Sequence, residues 1–310
     1  MTSEESNILK IKVNLAIINS TACIKDIGLV SPTIQWVGGK KRLLSKIISH
    51  LPDQYGNYHE LFLGGGALLF KRLPDAAECY EINSRLVDLY HIIKTRPDDL
   101  IAELQEVETT YNALSPEDKK SYYIALRDTF NALSDIESNT FKRSVYFKII
   151  NKTCFNALYR ENSKGKFNVP FGNGKNCKIC DRENILNMSS YFNQKNINIH
   201  NKDFEVALAN IVAGDFVYLD PPYYPLKESS FTAYTKAGFC KEDHIRLVEL
   251  CKKIHNKGAY FMLSNSNCDF MKDAFVEECY TVEEISIART LNSNKNKRGK
   301  SKCELIVYNY

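Results

Sequence analysis

The sequence predicts an α/β protein: a mixed, mostly parallel sheet with helices between its strands, interrupted by a mainly helical insert. Three observations carry this. Short apolar runs such as "FVYL" (216–219) alternate with amphipathic helical stretches on both sides of the chain's middle. Residues 95–185 break that rhythm with charged, tyrosine-rich sequence that ends in a polar, glycine-punctuated stretch. Glycines and acidic residues gather where strands end, the edge at which open α/β sheets bind ligands.

The elements follow in order. In "KKRLLSKIISHLP", Leu43, Leu44, Ile47, Ile48 and Leu51 recur at helical spacing, opened by Gly38-Gly39 and stopped by Pro52. "YHELFLGGGALLFKRL" reads as a strand, a glycine turn and an apolar helix; "AECYEIN" and "LVDLYHIIK" read as the next strand and helix. Within the insert, "KKSYYIALRDTFNAL" is helical, and "NKTCFNALYRENSKGKFNVPFGNGKN" reads as a β-hairpin turning at Ser163 to Lys166. Strands and helices then resume with "NINIHNKDF", "DFVYLDPP", a helix from about Lys241 to Asn256, "AYFMLSNS" and "CELIVY".

Composition narrows the function classes. With 310 residues, 44% of them hydrophobic and 25% charged, the chain can bury a large core or two modest ones. No apolar run reaches the roughly 18 residues of a membrane span, and "MTSEESNILK" lacks the pattern of a signal peptide, so a cytoplasmic protein is expected. Of ten cysteines only Cys177 and Cys180 are closely spaced, half a zinc site, so reduced thiols and no metal are expected. The net charge of +4 is too small to mark a nucleic-acid binder by itself.

Several residues at predicted strand ends have chemistry in common. They are Glu60 to Gly66, Glu81, Asp203, Asp220 and Asn265. The turn Gly64 to Gly66 lets a ligand approach the backbone at a helix start, though alone it reads more simply as a tight strand-to-helix junction. It lacks the Gly-Lys-Ser/Thr ending of a P-loop. Glu81 ends a strand about 17 residues later, near the spacing at which dinucleotide folds place an acid on ribose hydroxyls. Asp220, Pro221, Pro222 and Tyr223 form a rigid tip with a carboxylate and an aromatic ring. Such a tip suits an exocyclic amino group, whose lone pair is delocalised into its ring. Accepting both its N–H bonds, one on Asp220 and one on a proline-pair carbonyl, frees that lone pair, while Tyr223 stacks on the base. A turn aspartate before a structural Pro-Pro is the bland alternative.

These residues, in order, resemble the Dam-type (D12 class, group alpha) DNA adenine N6-methyltransferase family. The shared pieces are "WVGGK" (36–40), "ELFLGGGALLF" (60–70), "INSRLVDLY" (82–90), "FNALYRENSKGKFNVPFG" (155–172), "DPPY" (220–223), "FTAY" (231–234) and "LSNS" (263–266). "DPPY" is shared with other amino methyltransferases; "WVGGK", "NVPFG" and "FTAY" together are specific. The resemblance implies a Rossmann-like, S-adenosyl-L-methionine-dependent core in two parts, 34–94 and 186–310. It also implies an inserted target-recognition domain at 95–185, behind an N-terminal extension, 1–33. It assigns the cofactor to Trp36, Gly39, Lys40, Glu60, Phe62, Gly64, Gly66, Glu81, Ile82, Asp203, Phe204 and Asp220. Glu81 stands where many members have Asp, and Leu61 where many have Pro.

The same resemblance implies double-stranded DNA as partner and an adenine flipped out of the stack. Phe155 matches the ring that fills the vacated space; Asn156, Leu158, Arg160, Asn168 and Pro170 match positions near the recognised bases. Arg160 suits guanine, and Leu158 or Pro170 a thymine methyl group, although core packing and a surface charge are the simpler uses of such residues. In "NSNKNKRGKSK", Lys295, Lys297 and Arg298 would serve a DNA enzyme as a phosphate clamp, although a solvated loop is the simpler use of such a run. Members acting on GATC usually carry Lys before the Trp-containing motif; Gln35 stands there, and glutamine pairs more naturally with adenine. GATC or a close relative is the expected target, with its first base set apart. A monomer, and a companion restriction endonuclease, belong to the same expectation. Methylation of cytosine N4 or of RNA, and a catalytically silent DNA-binding protein, are the competing readings; the intact "DPPY" opposes the last.

Overall fold

The computed structural model describes residues 27–36, 38–40, 43–133, 136–225, 239–276, 280–287 and 302–310. Seven strands form one sheet: β1 (Tyr58–Glu60), β2 (Ala76–Tyr80), β3 (Asn196–His200), β4 (Phe216–Leu219), β5 (Tyr260–Ser266), β6 (Thr281–Ile287) and β7 (Lys302–Tyr308), in the order β3-β2-β1-β4-β5-β7-β6. The first five run parallel, whereas β7 is antiparallel to both β5 and β6. Helices cover both faces of such a parallel sheet, which is why β1 and β4 are buried at every position. The mostly parallel α/β architecture expected from the alternation is present. Strand β6 and the short helix Asp269–Val276 were not anticipated, because "TVEEISI" carries two glutamates and the helix has barely two turns.

The chain reverses direction of travel across the sheet between β1 and β4, since β1 pairs with β2 on one side and β4 on the other. That switch point opens a crevice at the carboxyl ends of the strands.

Local sequence sets the helices. The first, α1 (Leu44–Ser49), is shorter than its apolar periodicity implied; α2 (Ala67–Arg72) starts at Gly66. Asn83 caps α3 (Ser84–Thr95) by accepting from the Arg85 and Leu86 amides. Pro97 opens α4 (Pro97–Ala113), with Asp98 and Asp99 in its first turn. Ser115 caps α5 (Pro116–Ala132), followed by α6 (Thr140–Thr153) and α7 (Arg182–Gln194). After β4, α8 (Lys241–Asn256) begins with a reciprocal Cys240–Asp243 cap. None of the described helices is long and apolar enough to cross a membrane.

Two buried clusters lie on the two sides of the sheet. One joins Leu69, Phe70, Tyr90 and Phe192 to Tyr123, Phe130 and Phe167 of the segment 95–185, so this segment shares a core with the sheet face it covers. The other packs Leu247, Leu250 and Ile254 of α8 against Val217, Phe261 and Leu305. Each fully buried Leu or Ile stabilises the fold by roughly 1.5–3 kcal/mol. The expected hairpin is a tight turn flanked by isolated bridges, Cys154 with Phe171 and Glu161 with Phe167. Asn162 makes the turn: its side-chain oxygen accepts from the Lys164 and Lys166 amides at 2.9 and 3.1 Å, and Gly165 has a φ of +72°.

Candidate active site

Strand β4 delivers Asp220 to the crevice beside β1, and the two prolines that follow cannot extend the ladder. The carboxylate is largely buried and faces a cation: Lys40 Nζ lies 2.5 Å from Asp220 Oδ1, with the two side chains 7% and 18% exposed. Burial pushes the Asp220 pKa up; Lys40 pulls it back, and the nearby Glu304 carboxylate adds to the rise. The same Lys40 ammonium donates to the Gly38 carbonyl at 3.0 Å and sits 4.4 Å from the centre of the Tyr223 ring. Lys40 thus bridges the carboxylate and the aromatic face of the tip.

The turn after the prolines is clamped to β5. Asn265 accepts from the Tyr224 and Ser266 amides at 2.9 and 2.8 Å, and Ser266 Oγ donates to the Tyr224 carbonyl at 2.7 Å. Tyr223 donates its hydroxyl to Glu304 of β7 at 2.7 Å. Tyr224, for which the sequence offered no role, stacks on Phe270 at 4.5 Å and meets His244 edge-on, so it packs the loop against α8. Glu60, at the end of β1, is only 2% exposed and accepts the Tyr58 hydroxyl at 2.6 Å. Burial pushes its pKa up to about 8, against the Tyr58 hydrogen bond, with the Asp220 charge adding to the rise.

A second group of residues surrounds the glycine turn. Gly64 and Gly66 have φ of +49° and +67°, and a side chain on Gly66 would meet the Phe70 ring at 2.6 Å. A Cβ on Gly64 would come 2.9 Å from the Trp36 indole, which also stacks on Tyr159 at 5.2 Å. Trp36 therefore wedges the 36–40 loop against the glycine turn; its carbonyl accepts from the Gly39 amide at 3.2 Å. The two Glu81 oxygens accept from the Gly64 and Asn83 amides, both at 2.8 Å. Burial pushes the Glu81 pKa up and these backbone N–H groups pull it back. Beside this nearly buried carboxylate, Ile82 is 58% exposed. Phe62 stacks on Phe204 at 5.1 Å, while Asp203 caps the following turn and pairs with Arg246 at 2.8 Å. Arg246 lies 4.9 Å above the Phe204 ring and also binds Glu205 and Asp243. Sequence reading missed Arg246; its signal was a basic residue three positions after Asp243 in one helix.

The segment 155–170 gathers the residues expected to touch DNA. Phe155 is 49% exposed, and its amide donates to the Pro170 carbonyl at 2.9 Å. Asn156 and Ala157 both take positive φ, 53° and 49°, which turns the chain sharply behind that ring. Leu158 is partly buried against the core. Arg160 donates to Asn168, to its side-chain oxygen at 2.8 Å and its carbonyl at 3.3 Å. The buried Asn151 holds Gln35 by both backbone groups, accepting its N–H at 3.1 Å and donating to its carbonyl at 2.8 Å. It also donates to the Ala157 carbonyl at 3.3 Å, so Gln35 is tethered next to the Phe155 turn with its side chain exposed. Lys295, Lys297, Arg298 and "FTAY" lie outside the described residues.

Residues 36–290 match the model of the D12 class N6 adenine-specific DNA methyltransferases. A "Type II methyltransferase M.MjaIII" of Methanocaldococcus jannaschii is 40% identical over 91% of this chain and 99% of its own length. A "Type II methyltransferase M1.LlaDCHI" of Lactococcus lactis is 39% identical over 90% of this chain and 95% of its own. A "DNA adenine methylase" of Haemophilus influenzae is 31% identical over 89% and 92%. A match of this extent, covering both the strand-tip site and the glycine turn, makes the chain a member of the D12 class N6 adenine-specific DNA methyltransferase family.

Proposed function

We propose that the protein transfers a methyl group from S-adenosylmethionine to N6 of an adenine flipped out of duplex DNA, within GATC or a close relative. The observation that carries this reading is the buried Asp220 carboxylate at the sheet's switch point, followed by two rigid prolines and an anchored tyrosine. The family implies S-adenosylmethionine as methyl donor, and the residues present fit it. An exposed Ile82 beside a nearly buried Glu81 joins an apolar contact to a carboxylate, the chemistry that a nucleoside's flat ring and ribose hydroxyls require. Glu81, Ile82, Asp203 and Phe204 would hold its adenosine half, beside the turn of Gly64 and Gly66. When bound, it supplies an electrophilic methyl group on a positively charged sulfur.

The chain's own groups act on the amino nitrogen. Asp220 accepts one N–H and a carbonyl of the Pro221–Pro222 pair accepts the other, so the lone pair is released from conjugation with the ring. Tyr223 provides the stacking face. A base placed there takes over both contacts that Lys40 now makes, with the ring and with Asp220. Methylation would leave the amino nitrogen cationic, and the Asp220 carboxylate would take the proton that it sheds. A carboxylate whose pKa burial has raised is a better acceptor for that proton than an exposed one.

The segment 95–185 is assigned to target recognition. Phe155, offered to solvent on a sharply turned loop, fills the gap left by the flipped base. Gln35, Arg160 and Asn168 read base edges, Asn156, Leu158 and Pro170 line the same surface, and Lys295, Lys297 and Arg298 bind phosphates. The Type II names of the relatives support a companion restriction endonuclease. Incubating unmethylated DNA with labelled S-adenosylmethionine, followed by modification-aware sequencing, tests the reading. N6-methyladenine within one short motif is expected; label only in cytosine or in RNA would overturn it.

A further inference from the structure

We propose that Glu304 is a positioning residue for methyl transfer: it fixes the Tyr223 ring by accepting its hydroxyl hydrogen, and so sets the face on which the target base stacks. This rests on the reading of Tyr223 as the stacking ring. The contact, 2.7 Å between Tyr223 Oη and Glu304 Oε2, joins residues 81 positions apart in sequence.

The mounting of the acceptor supports a geometric role. Glu304 lies on β7, opposite Ser266 of β5 and Ile285 of β6, so its backbone is fixed by a strand on each side. A tyrosine ring attached only at its Cβ turns about two torsions. One held at its hydroxyl as well, with its backbone following two prolines, has the direction of its long axis fixed, and because a phenol O–H prefers to lie in the ring plane, the direction of the acceptor also favours one plane. The position is otherwise a poor one for a carboxylate. Glu304 adds negative charge near Asp220 and raises the Asp220 pKa, and it interrupts a strand whose next three residues, Leu305, Ile306 and Val307, are fully buried. A hydrocarbon there would avoid the like-charge cost. Its hydrogen bond with Tyr223 offsets part of that cost.

The hydrogen bond also has an electronic consequence. A phenol that donates to a carboxylate carries a more electron-rich ring, and such a face attracts positive charge more strongly. In this structure the positive charge over the ring is the Lys40 ammonium, 4.4 Å from its centre. During transfer it is the amino nitrogen, which becomes cationic as it gains the methyl group. Tyr223 remains a hydrogen-bond donor throughout, because burial and the surrounding carboxylates push its pKa well up.

The test is a double-mutant cycle on single-turnover transfer of labelled methyl from S-adenosylmethionine to unmethylated plasmid DNA, with KM for DNA measured in parallel. Tyr223→Phe and Glu304→Leu are each expected to slow the transfer step about 10-fold with KM changed less than about 3-fold. The double variant is expected to be no slower than the slower single one, because both remove the same bond. Glu304→Gln, which keeps an acceptor, should stay within about 3-fold of the wild type. Losses that multiply to about 100-fold in the double variant, or Glu304→Gln as slow as Glu304→Leu, would overturn the proposal. If Glu304→Leu does not fold, Tyr223→Phe decides: a wild-type transfer rate in that variant overturns the proposal, and a loss near 10-fold shared with Tyr223→Phe/Glu304→Gln supports it. Wild-type protein that labels no adenine would overturn the reading on which the proposal stands; labelled adenine with multiplying losses would overturn the proposal alone.

Discussion

The tip of β4 and the loop 155–170 both present polar groups at the surface of the same molecule, yet they partner them in opposite ways. At the tip, Asp220, Lys40 and Tyr223 are bound to charged or ionisable neighbours, with Lys40 buried and the other two partly shielded from water. On the loop, Arg160 is exposed and its partner is the neutral Asn168, while Phe155 is about half exposed. Charges fixed in a low-dielectric site act strongly and need no reorganisation at the moment of reaction. An exposed arginine on a neutral acceptor can exchange it for a base edge at little cost. The first arrangement suits rate; the second suits selection.

The sharpest way to break this contrast is Asp220→Ala. Loss of one preorganised acceptor in a buried site lowers the transfer rate by about 10³-fold, measured as single-turnover label incorporation at saturating DNA. DNA affinity, measured by filter binding, should change little. Retained activity would remove the tip from the chemistry altogether.

Glu60 tests the tip by stability instead. Its folded pKa of about 8 exceeds that of an unfolded glutamate, so the native state holds a proton that the unfolded chain has released across the interval from about 4.5 to 8. Its contribution is fully present below about pH 4.5 and is lost as pH rises to about 8. Glu60→Gln keeps an acceptor for Tyr58 but cannot ionise. The variant should match the wild type near pH 5 and exceed it by roughly 2–4 kcal/mol at pH 8, as a shift of one unit is worth about 1.4 kcal/mol. Parallel denaturant titrations at the two pH values measure the difference. Equal pH dependence in both proteins would place Glu60 in a wetter setting than its burial indicates.

The exposed region predicts effects on choice of site. Arg160→Ala should relax discrimination at one base position by about 2 kcal/mol, near 30-fold, within the range for a bidentate base contact. Modification-aware sequencing of a randomised plasmid would show it as spread at one position of the motif, with the transfer rate on the best site reduced far less. A uniform loss on every sequence would make Arg160 a phosphate contact.

What could be read beforehand follows the same division. Asp220 was legible because a run of four apolar residues followed by Asp-Pro-Pro defines both a strand and its end, and all of that information is local. The parallel sheet was legible from alternation. The partners of the tip were not: Lys40 is 180 residues before Asp220 and comes from the loop ahead of α1, while Glu304 is 81 after Tyr223 and arrives through strand order. "CELIVY" announces a strand without saying that it runs antiparallel beside β5. Glu81 was visible as a strand-end acid, but the grip of its oxygens on the Gly64 and Asn83 amides depends on the fold of the glycine turn. On the loop, the residues lie within sixteen positions of each other, so their grouping was visible; the Asn151 tether that brings Gln35 to them was not.

Phe155 gives the smallest of these effects and tests the exposed region most directly. Its ring is about half exposed on a turn whose next two residues take positive φ, so the backbone, and not packing of the ring, sets where it points. Phe155→Ala should leave stability within about 0.5 kcal/mol, the usual limit for surface changes, since the side chain covers little. It should raise KM for DNA about 10-fold, the lower half of the 1–3 kcal/mol that stacking on a base contributes. The transfer step itself, read at saturating DNA, should change less than about 3-fold, because Asp220 and Tyr223 are untouched. A 2-aminopurine in place of the target adenine, whose fluorescence rises when it leaves the stack, separates the two roles open to the ring. Weaker binding with an unchanged signal in the bound state would mean that Phe155 stabilises the DNA after opening. A loss of signal at saturation would mean that the ring is needed to open it. A variant that melts several degrees lower, with KM unchanged, would return Phe155 to the core and erase the distinction between tip and loop.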